Sequence, residues 1–510
     1  MLSSAACSTV TSAEISPHTI KLWAYPVEQS TDVISLYVLA QKECVSCTLK
    51  SGGKPGMNQQ ELSAATAIGA LYLVRMLGLF MVLPVLPLAT DDVPLATPLL
   101  IGIAIGIYGL SQGLLQIPLG FLSDRYGRKP VIAAGLLVFI LGSFVAGFAQ
   151  DIYQLIAGRF LQGCGAIAST LLALMSDVTR VDQRSKSMAI IGIAIAGSFG
   201  LALVLGPLVS ASFGLAGIFN LTGILGLLGL VLLFTRVPSP AVMANNRDSA
   251  VQTDLLRDTL GNLNLWRLNI SVLILHLLLV SGFSVFPLLF EATGEIAQED
   301  HYLYYLALLV LSFVGMMPFM ALSDRLSDTR PVLMSMIVSC FLGFLILSQG
   351  HGYYAVLVGI TLFFVGFNLL EVVLPAQVSK LSGAGARGTS MGVYTTCQFL
   401  GIFAGGVVSG WVLSGYEPAV LLLVNLGIVA FWFVICLGFP RLGDLGSRTI
   451  SLANLPKASA KERLEALSSV DGVLDVVVIE EDQVAYLKVD EQRFQDEFLE
   501  YTGDQYGSRN

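Results

Sequence analysis

Twelve long apolar runs dominate this chain and leave few folds open to it. Hydrophobic residues make up 55% of its 510 residues and charged residues 13%, whereas soluble globular proteins carry about 25% charged residues. A helix needs about 20 mostly apolar residues to cross a bilayer. Such runs cover residues 64–88, 98–122, 130–149, 152–175, 188–211, 214–235, 268–290, 302–322, 331–348, 353–374, 388–413 and 418–439. We therefore predict an all-α membrane protein with twelve transmembrane helices, embedded in the lipid bilayer.

Lysine and arginine fall only in every second gap between these runs. The gap after the second run carries Arg125, Arg128 and Lys129, and the gap after the tenth carries Lys380 and Arg387. The odd-numbered gaps carry neither residue. Basic loops remain on the cytoplasmic side of a membrane. This pattern predicts a multi-pass protein of the bacterial inner membrane with both termini in the cytoplasm.

Composition divides the chain into five segments. Residues 1–56 form a leader without a signal-peptide pattern, which we expect to be disordered, and Met57 is an alternative start. Residues 57–236 and 264–441 each hold six apolar runs, and residues 237–263 form a polar cytoplasmic connector. Residues 442–510 form a soluble tail whose 13 acidic and five basic residues from Lys461 onward account for the net charge of −8. This acidity argues against nucleic acid as a partner.

The tail has a mixed periodicity of its own. Strands are predicted over residues 448–452, 473–479 and 484–489, and helices over residues 459–468 and 493–501. The order β-α-β-β-α is typical of a small α+β domain.

A charged loop after the second run recurs after the eighth. The first copy reads Gly120-Phe-Leu-Ser-Asp-Arg-Tyr-Gly-Arg-Lys-Pro130, and the second begins Ala321-Leu-Ser-Asp-Arg325. Because the copies lie six runs apart, the two halves share one orientation and form a parallel repeat. Such repeats place the substrate between the halves, near the middle of the bilayer.

The first copy has the features of a conformational latch. Gly120 and Gly127 allow a tight turn, and Asp124 and Arg128 are spaced i, i+4 for an ion pair. We predict a latch that is made in one state and broken in another. Ser327 replaces the second glycine in the later copy, which we predict to be a weaker brace.

Residues 57–441 resemble the major facilitator superfamily of transporters. The loop motif, the sequence Gly158-Arg159-Phe-Leu-Gln162 and the pair Gly206-Pro207 are similar to three motifs of that family, the last belonging to proton-driven antiporters. Leu208-Val-Ser210 departs from the antiporter pattern. The resemblance implies a latch in which the start of the eleventh helix, near Gly388, faces Asp124. Its members would be Gly120, Asp124, Arg125, Gly127, Arg128, Lys129 and Asp177.

Further motifs narrow the resemblance to the YajR-like group of transporters. They include Arg75-Met-Leu-Gly-x-Phe-Met-Val-Leu-Pro84, Phe367-Asn-Leu-x-Glu371 and the tail sequence Ala485-Tyr-Leu-Lys-Val-Asp490. The resemblance implies proton-linked efflux and a ferredoxin-like C-terminal domain.

Charged side chains within the apolar runs are candidates for coupling and binding. A charge at a helix centre costs about 2.5–3.5 kcal/mol on insertion scales, so such residues are usually functional. Glu371 is the only carboxylate deep in a run, and it is either a proton carrier or the permanent partner of an arginine. The candidates for proton coupling or the substrate cavity are Tyr72, Arg75, Gln116, Arg159, Gln162, His276, Asn368 and Glu371.

Secondary active transport is the function that these features favour. We predict proton-coupled efflux of a small molecule or drug by a monomer that uses alternating access. Proton symport or uptake, and a sensor acting through the tail, remain alternatives. The sequence carries no phosphate-binding loop, metal-ligand set or nucleophile–base pair, so we predict no cofactor, no metal and no enzymatic activity.

Overall fold

The computed structural model describes residues 57–180, 183–238, 253–326, 328–350, 352–383, 386–439, 445–451, 464, 467–479, 484–490 and 493–494. The leader, most of the connector and most of the two predicted tail helices lie outside these residues.

The described chain forms thirteen helices followed by three strands. The helices are α1 Gln59–Phe80, α2 Pro98–Tyr126, α3 Arg128–Gly147, α4 Ile152–Cys164, α5 Ala168–Asp177, α6 Arg184–Arg236, α7 Thr253–Gly261, α8 Leu263–Thr293, α9 His301–Arg325, α10 Arg330–Gln349, α11 Tyr353–Leu381, α12 Arg387–Gly415 and α13 Pro418–Leu437. The strands are β1 Leu445–Ser451, β2 Val473–Ile479 and β3 Val484–Asp490.

The helices confirm the prediction of a membrane bundle with twelve crossings. Eleven helical stretches of the described chain are long and apolar enough to cross a membrane. One of them, α6, has 53 residues and is interrupted at Gly214, where φ is +65°. Glycine adopts this backbone conformation without the steric penalty of a side chain. The interruption divides α6 into the predicted fifth and sixth crossings.

The fourth crossing is broken, although the sequence predicts one continuous helix. It consists of α4 and α5, separated at residues 165–167. The carbonyl of Gly165 accepts a hydrogen bond from the buried Arg75 guanidinium. A side chain that enters the helical hydrogen-bond ladder is a recognised cause of such breaks, and the apolar periodicity gives no sign of it.

Glycines let α12 approach one helix of each half. Gly102 and Gly106 of α2 meet the backbone of α12 around Phe403, Gly406 and Gly410, and a Cβ at Gly106 would stand 2.8 Å from the Phe403 carbonyl oxygen. Small residues permit such close packing in membranes. We call this contact between the halves the glycine seam.

The opposite side of α12 packs equally closely on α8 within the second half. A Cβ at Gly405 would stand 3.0 Å from the Leu277 Cα. The two glycine pairs of the sequence, Gly102-x-x-x-Gly106 and Gly401-x-x-x-Gly405, therefore serve different contacts.

The tail contains an antiparallel sheet in the order β1-β3-β2. Leu467, Ala485, Leu487, Val489 and Phe494 form its small core. The three predicted strands are present, and β1 begins three residues before its predicted start.

Candidate functional site

Glu371, His276 and Gln398 meet where α11, α8 and α12 converge. The Gln398 amide nitrogen donates to Glu371 Oε1 at 3.2 Å and lies 2.8 Å from His276 Nε2. His276 Nδ1 lies 3.1 Å from the carbonyl oxygen of Val272. A neutral imidazole with its proton on Nδ1 satisfies all three contacts, because Nε2 then accepts from the amide. We call these three residues the carboxylate cluster.

Within the carboxylate cluster the Glu371 side chain is more exposed than that of His276, although Glu371 Oε2 is itself buried and has no hydrogen-bond partner among the described residues. The Glu371 side chain retains 30% of its exposure and that of His276 only 4%, with 3.7 Å between His276 Nε2 and Glu371 Oε2. The Phe367 ring packs edge-on against the imidazole at 5.8 Å. Tyr72 of the first half and Tyr394 of α12 both lie within electrostatic range of the carboxylate. Glu371 therefore contacts an amide and an imidazole of the second half, and the buried Tyr72 of the first half lies near enough to interact with it electrostatically.

Glu371 has no arginine partner in the described chain. Its contacts are with Gln398 and His276. The Arg75 guanidinium instead donates to Gln112 Oε1 at 2.7 Å and to the Gly165 carbonyl. Of the two roles that the sequence leaves open for Glu371, these contacts favour the proton carrier.

Arg159 is fully buried in the first half and binds backbone. Its guanidinium donates to the carbonyls of Ala104 and Gly78 at 3.2 Å and to Gln162 Oε1 at 3.0 Å. It also lies 4.9 Å from the centre of the Tyr108 ring. Arg159 thus cross-links α1, α2 and α4, which indicates a structural role.

Three other candidate side chains also bond to neighbouring helices. Gln162 donates to Ser143 Oγ at 2.9 Å, and Asn368 donates to Ser312 Oγ at 2.9 Å. Gln116 is different, because its amide reaches Thr395 Oγ1 in the other half at 2.5 Å. Gln116 therefore belongs to the contact between halves.

Phenylalanines packed around Phe199 join the two halves, and we call them the aromatic cluster. The Phe199 ring of α6 lies 5.1 Å from Phe80, where α1 ends, and 6.1–6.2 Å from Phe283, Phe364 and Phe367 of the second half. Phe80 is the last residue of α1. We call the side of the bundle where α1 begins the basic face and the other side the opposite face. The aromatic cluster and the glycine seam hold the halves together towards the opposite face.

The predicted latch is assembled around Arg128 at the basic face. Arg128 is 5% exposed and pairs with Asp124 and, at 3.0 Å, with Asp177 Oδ2. It also donates to Ser123 Oγ at 2.7 Å. Gly127 has a φ of +98° and permits the turn between α2 and α3. Sequence reasoning missed Ser123, although it lies inside the motif.

The other latch residues have separate contacts. Lys129 Nζ donates to the Val237 carbonyl at 2.7 Å, and the Arg125 guanidinium lies over the Tyr126 ring at 5.5 Å. A Cβ at Gly120 would stand 3.6 Å from Ser169 Oγ.

Asp124 is partly exposed and bonds within the first half. Its side chain is 34% exposed. The helix α12 begins at Arg387, yet none of the hydrogen bonds among described residues joins its amides to Asp124. The expected contact with the eleventh helix is thus not made in this conformation.

A second ion pair, which sequence reasoning missed, lies beside the latch. Glu61 of α1 is 7% exposed and accepts from the Arg180 guanidinium at 2.8 Å and from its backbone N–H at 3.1 Å. Arg180 follows Asp177 by one turn, so both ion pairs fasten the end of the fourth crossing. The signal for this ion pair in the sequence is a glutamate and an arginine placed at the same face of the membrane.

The second copy of the loop makes a different ion pair. Arg330 Nη2 lies 2.7 Å from Asp328 Oδ2, and Arg330 Nη1 donates to the Phe439 carbonyl at 3.3 Å.

In the antiporter-like motif, Gly206 precedes Pro207 in α6, and a Cβ at Gly206 would stand 2.5 Å from the Met81 carbonyl oxygen. No group of side chains suited to a metal ion occurs among the described residues.

Comparison with known proteins agrees with this architecture. Residues 68–406 match the Major Facilitator Superfamily. The inner membrane transport protein YajR of Escherichia coli (strain K12) is 37% identical, over 85% of this chain and 95% of its own length. Multidrug resistance protein 1 of Bacillus subtilis (strain 168) is 23% identical, over 74% of this chain and 97% of its own length. The crystal structure of the nucleoside transporter NupG shares the fold, with a TM-score of 0.62 and 14% identity over 75% of this chain and 100% of that chain.

The family match covers more than half of the chain, and the alignment with YajR covers 85% of it. Together with the apolar helices, they identify a multi-pass protein of the inner membrane. The chain belongs to the major facilitator superfamily of membrane transporters.

Proposed function

We propose that the protein is a proton-coupled efflux carrier that exchanges a small molecule for protons. It would act as a monomer, because one chain contains both halves, with its basic face and both termini in the cytoplasm. The placement of Lys and Arg supports this orientation.

The observation that carries the proposal is the setting of Glu371. The Glu371 side chain lies deep in an apolar helix, its Oε2 is buried without a hydrogen-bond partner, and the carboxylate touches no Arg or Lys among the described residues. An intramembrane carboxylate that is not permanently neutralised favours proton binding, since protonation removes its charge. Gln398 can donate to Glu371 in either protonation state, and its amide also bonds His276 Nε2, which holds the amide beside the carboxylate.

Exchange follows if substrate and proton compete for this site. A proton enters from the opposite face when the aromatic cluster and glycine seam are open, and it displaces the substrate from the carboxylate cluster. Return to the present conformation, with the opposite face closed, releases the proton at the basic face. The net result is outward movement of substrate and inward movement of protons.

The multidrug resistance relative supports efflux over uptake. Its name concerns resistance to drugs, which is consistent with export from the cell. YajR supports transport without specifying its direction.

Transport in reconstituted vesicles tests the proposal. Vesicles would be loaded with a panel of drugs and amines, ethidium among them, and subjected to an imposed proton gradient. We expect proton-driven counterflow of at least one compound and its loss in Glu371→Gln. Glu417→Gln is the matched control, because Glu417 is exposed immediately before α13 and should leave transport unchanged.

Two results would oppose the proposal. Transport by Glu371→Gln at the rate of the unmodified protein would show that Glu371 is not the coupling site. Movement of substrate and protons in the same direction would replace antiport with symport.

A further inference from the structure

The tail contacts the loop between α11 and α12. Lys488 of β3 is 6% exposed, and its Nζ donates to the Ser382 carbonyl at 2.9 Å. Asp475 of β2 is the cross-strand partner of Lys488, and a Cβ at Gly383 would stand 3.6 Å from Asp475 Oδ2. Two opposite charges of one sheet therefore lie against two consecutive residues of the loop.

This contact buries the amino group of Lys488, and such burial is unfavourable unless the group has a specific partner. Lysine is almost never buried unless it is paired. The pKa of Lys488 is lowered to about 8, mainly by burial and also by the nearby charges of Arg387 and Lys380, while Asp475 acts in the opposite direction. The Ser382 carbonyl and Asp475 are the groups that compensate the buried amine.

The loop contacted by the tail connects the two helices that carry most of the carboxylate cluster. Glu371 lies about three helical turns before the end of α11, and Gln398 about three turns after the start of α12. The helix α12 also forms the glycine seam with the other half. A displacement of this loop would therefore be transmitted to the carboxylate cluster and to the contact between halves.

We propose that the tail is a regulatory clamp, which docks through Lys488 and Asp475 on the Ser382–Gly383 loop and restrains the movement of α11 and α12. Docking favours the present conformation, in which the opposite face is closed. Release of the tail permits the exchange of conformations. The regulatory part rests on the proposed transport function, whereas docking itself can be tested without it.

The docking test uses the full chain and hydrogen–deuterium exchange. In Lys488→Met we expect amide exchange in residues 380–390 to become at least fivefold faster. Arg493→Met is the matched control, because Arg493 is a tail cation with 73% of its side chain exposed, and it should leave exchange in these residues unchanged. Equal exchange in Lys488→Met and in the unmodified protein would overturn the proposal.

The clamp test locks the tail in place. Cysteines at Gly383 and Asp475 would be joined by a short thiol-reactive cross-linker. Conformational exchange would be followed by alkylation of a further cysteine at Ile402, which is buried in α12 against Gly109 of α2. We expect alkylation to slow at least tenfold after cross-linking and to become faster in Lys488→Met. Efficient cross-linking without a change in alkylation would overturn the regulatory role.

These readouts need no substrate. Failure of drug transport with a positive clamp test would refute the proposed function only. Failure of the clamp test with normal transport would refute this inference only.

Discussion

Replacing Gly102 with alanine should shift the balance between the two conformations of the transporter. A Cβ at this position would overlap the Gly406 carbonyl oxygen and stand 2.9 Å from the Gly410 Cα. Both obstacles are backbone atoms, so they cannot rotate away and the two helices must separate. Overpacking of this kind costs about 1–3 kcal/mol.

The penalty applies only while the glycine seam is closed. Alternating access requires the seam to open towards the opposite face, and in that state the new methyl group has room. The helix-propensity gain of alanine over glycine, about 1 kcal/mol, is the same in both states and cancels. We therefore expect the closed-to-open ratio to fall by about 5- to 150-fold.

Pulsed electron paramagnetic resonance can measure this ratio. Spin labels on cysteines at Asp92 and Glu417, which lie in exposed loops of the two halves, report the separation across the opposite face. Gly102→Ala should increase the population at long distances. Gly427→Ala is the matched control, because nothing lies within 4 Å of a Cβ there. An unchanged distance distribution in Gly102→Ala, or an equal shift in the control, would refute the reasoning.

Three further predictions concern stability and pH. Arg159→Lys should lower the melting temperature of the protein in detergent, since each carbonyl left without a donor costs about 1–3 kcal/mol; an unchanged melting temperature would contradict the structural role of Arg159. A double-mutant cycle with Glu61→Gln and Arg180→Gln, measured by denaturant unfolding, should give a coupling energy of about 1 kcal/mol. The value is small because Arg180 is 44% exposed and its ion pair is screened by solvent. A coupling energy of zero would show that the ion pair does not stabilise the protein. Docking lowers the pKa of Lys488 from 10.5 to about 8. Between these pH values Lys488 is protonated in the free tail and neutral in the docked tail, so docking releases a proton. Docking should therefore strengthen as the pH rises from 8 towards 10. The docked fraction, measured from the distance between labels on the tail and the bundle, should rise in this window and remain flat in Lys488→Met.

The sequence predicts the membrane-spanning pattern well, because each crossing must satisfy its own backbone hydrogen bonds in lipid. All twelve crossings occur, including the boundary at Gly214 inside α6. The ion pair between Asp124 and Arg128 is equally predictable, since the two residues are one helical turn apart and their pairing is local. The break in the fourth crossing is not predictable, because it involves Arg75 from a different helix.

Contacts between distant segments explain the remaining differences. Sequence reasoning identified Glu371 and Arg159 as equally notable intramembrane charges, yet one bonds to an amide and a histidine and the other to backbone carbonyls. Their contacts differ because different helices lie beside them.

The sequence by itself determined that this chain crosses a membrane twelve times, carries an Asp–Arg ion pair in the loop after the second crossing and ends in a tail with β-strands. These properties follow from local periodicity, from charge placement and from residues within one or two turns of one another. Only the tertiary structure decided that Glu371 meets His276 and Gln398 rather than an arginine, and that Lys488 reaches Ser382. Such pairs lie far apart in sequence, and helix and domain packing brings them within hydrogen-bonding distance.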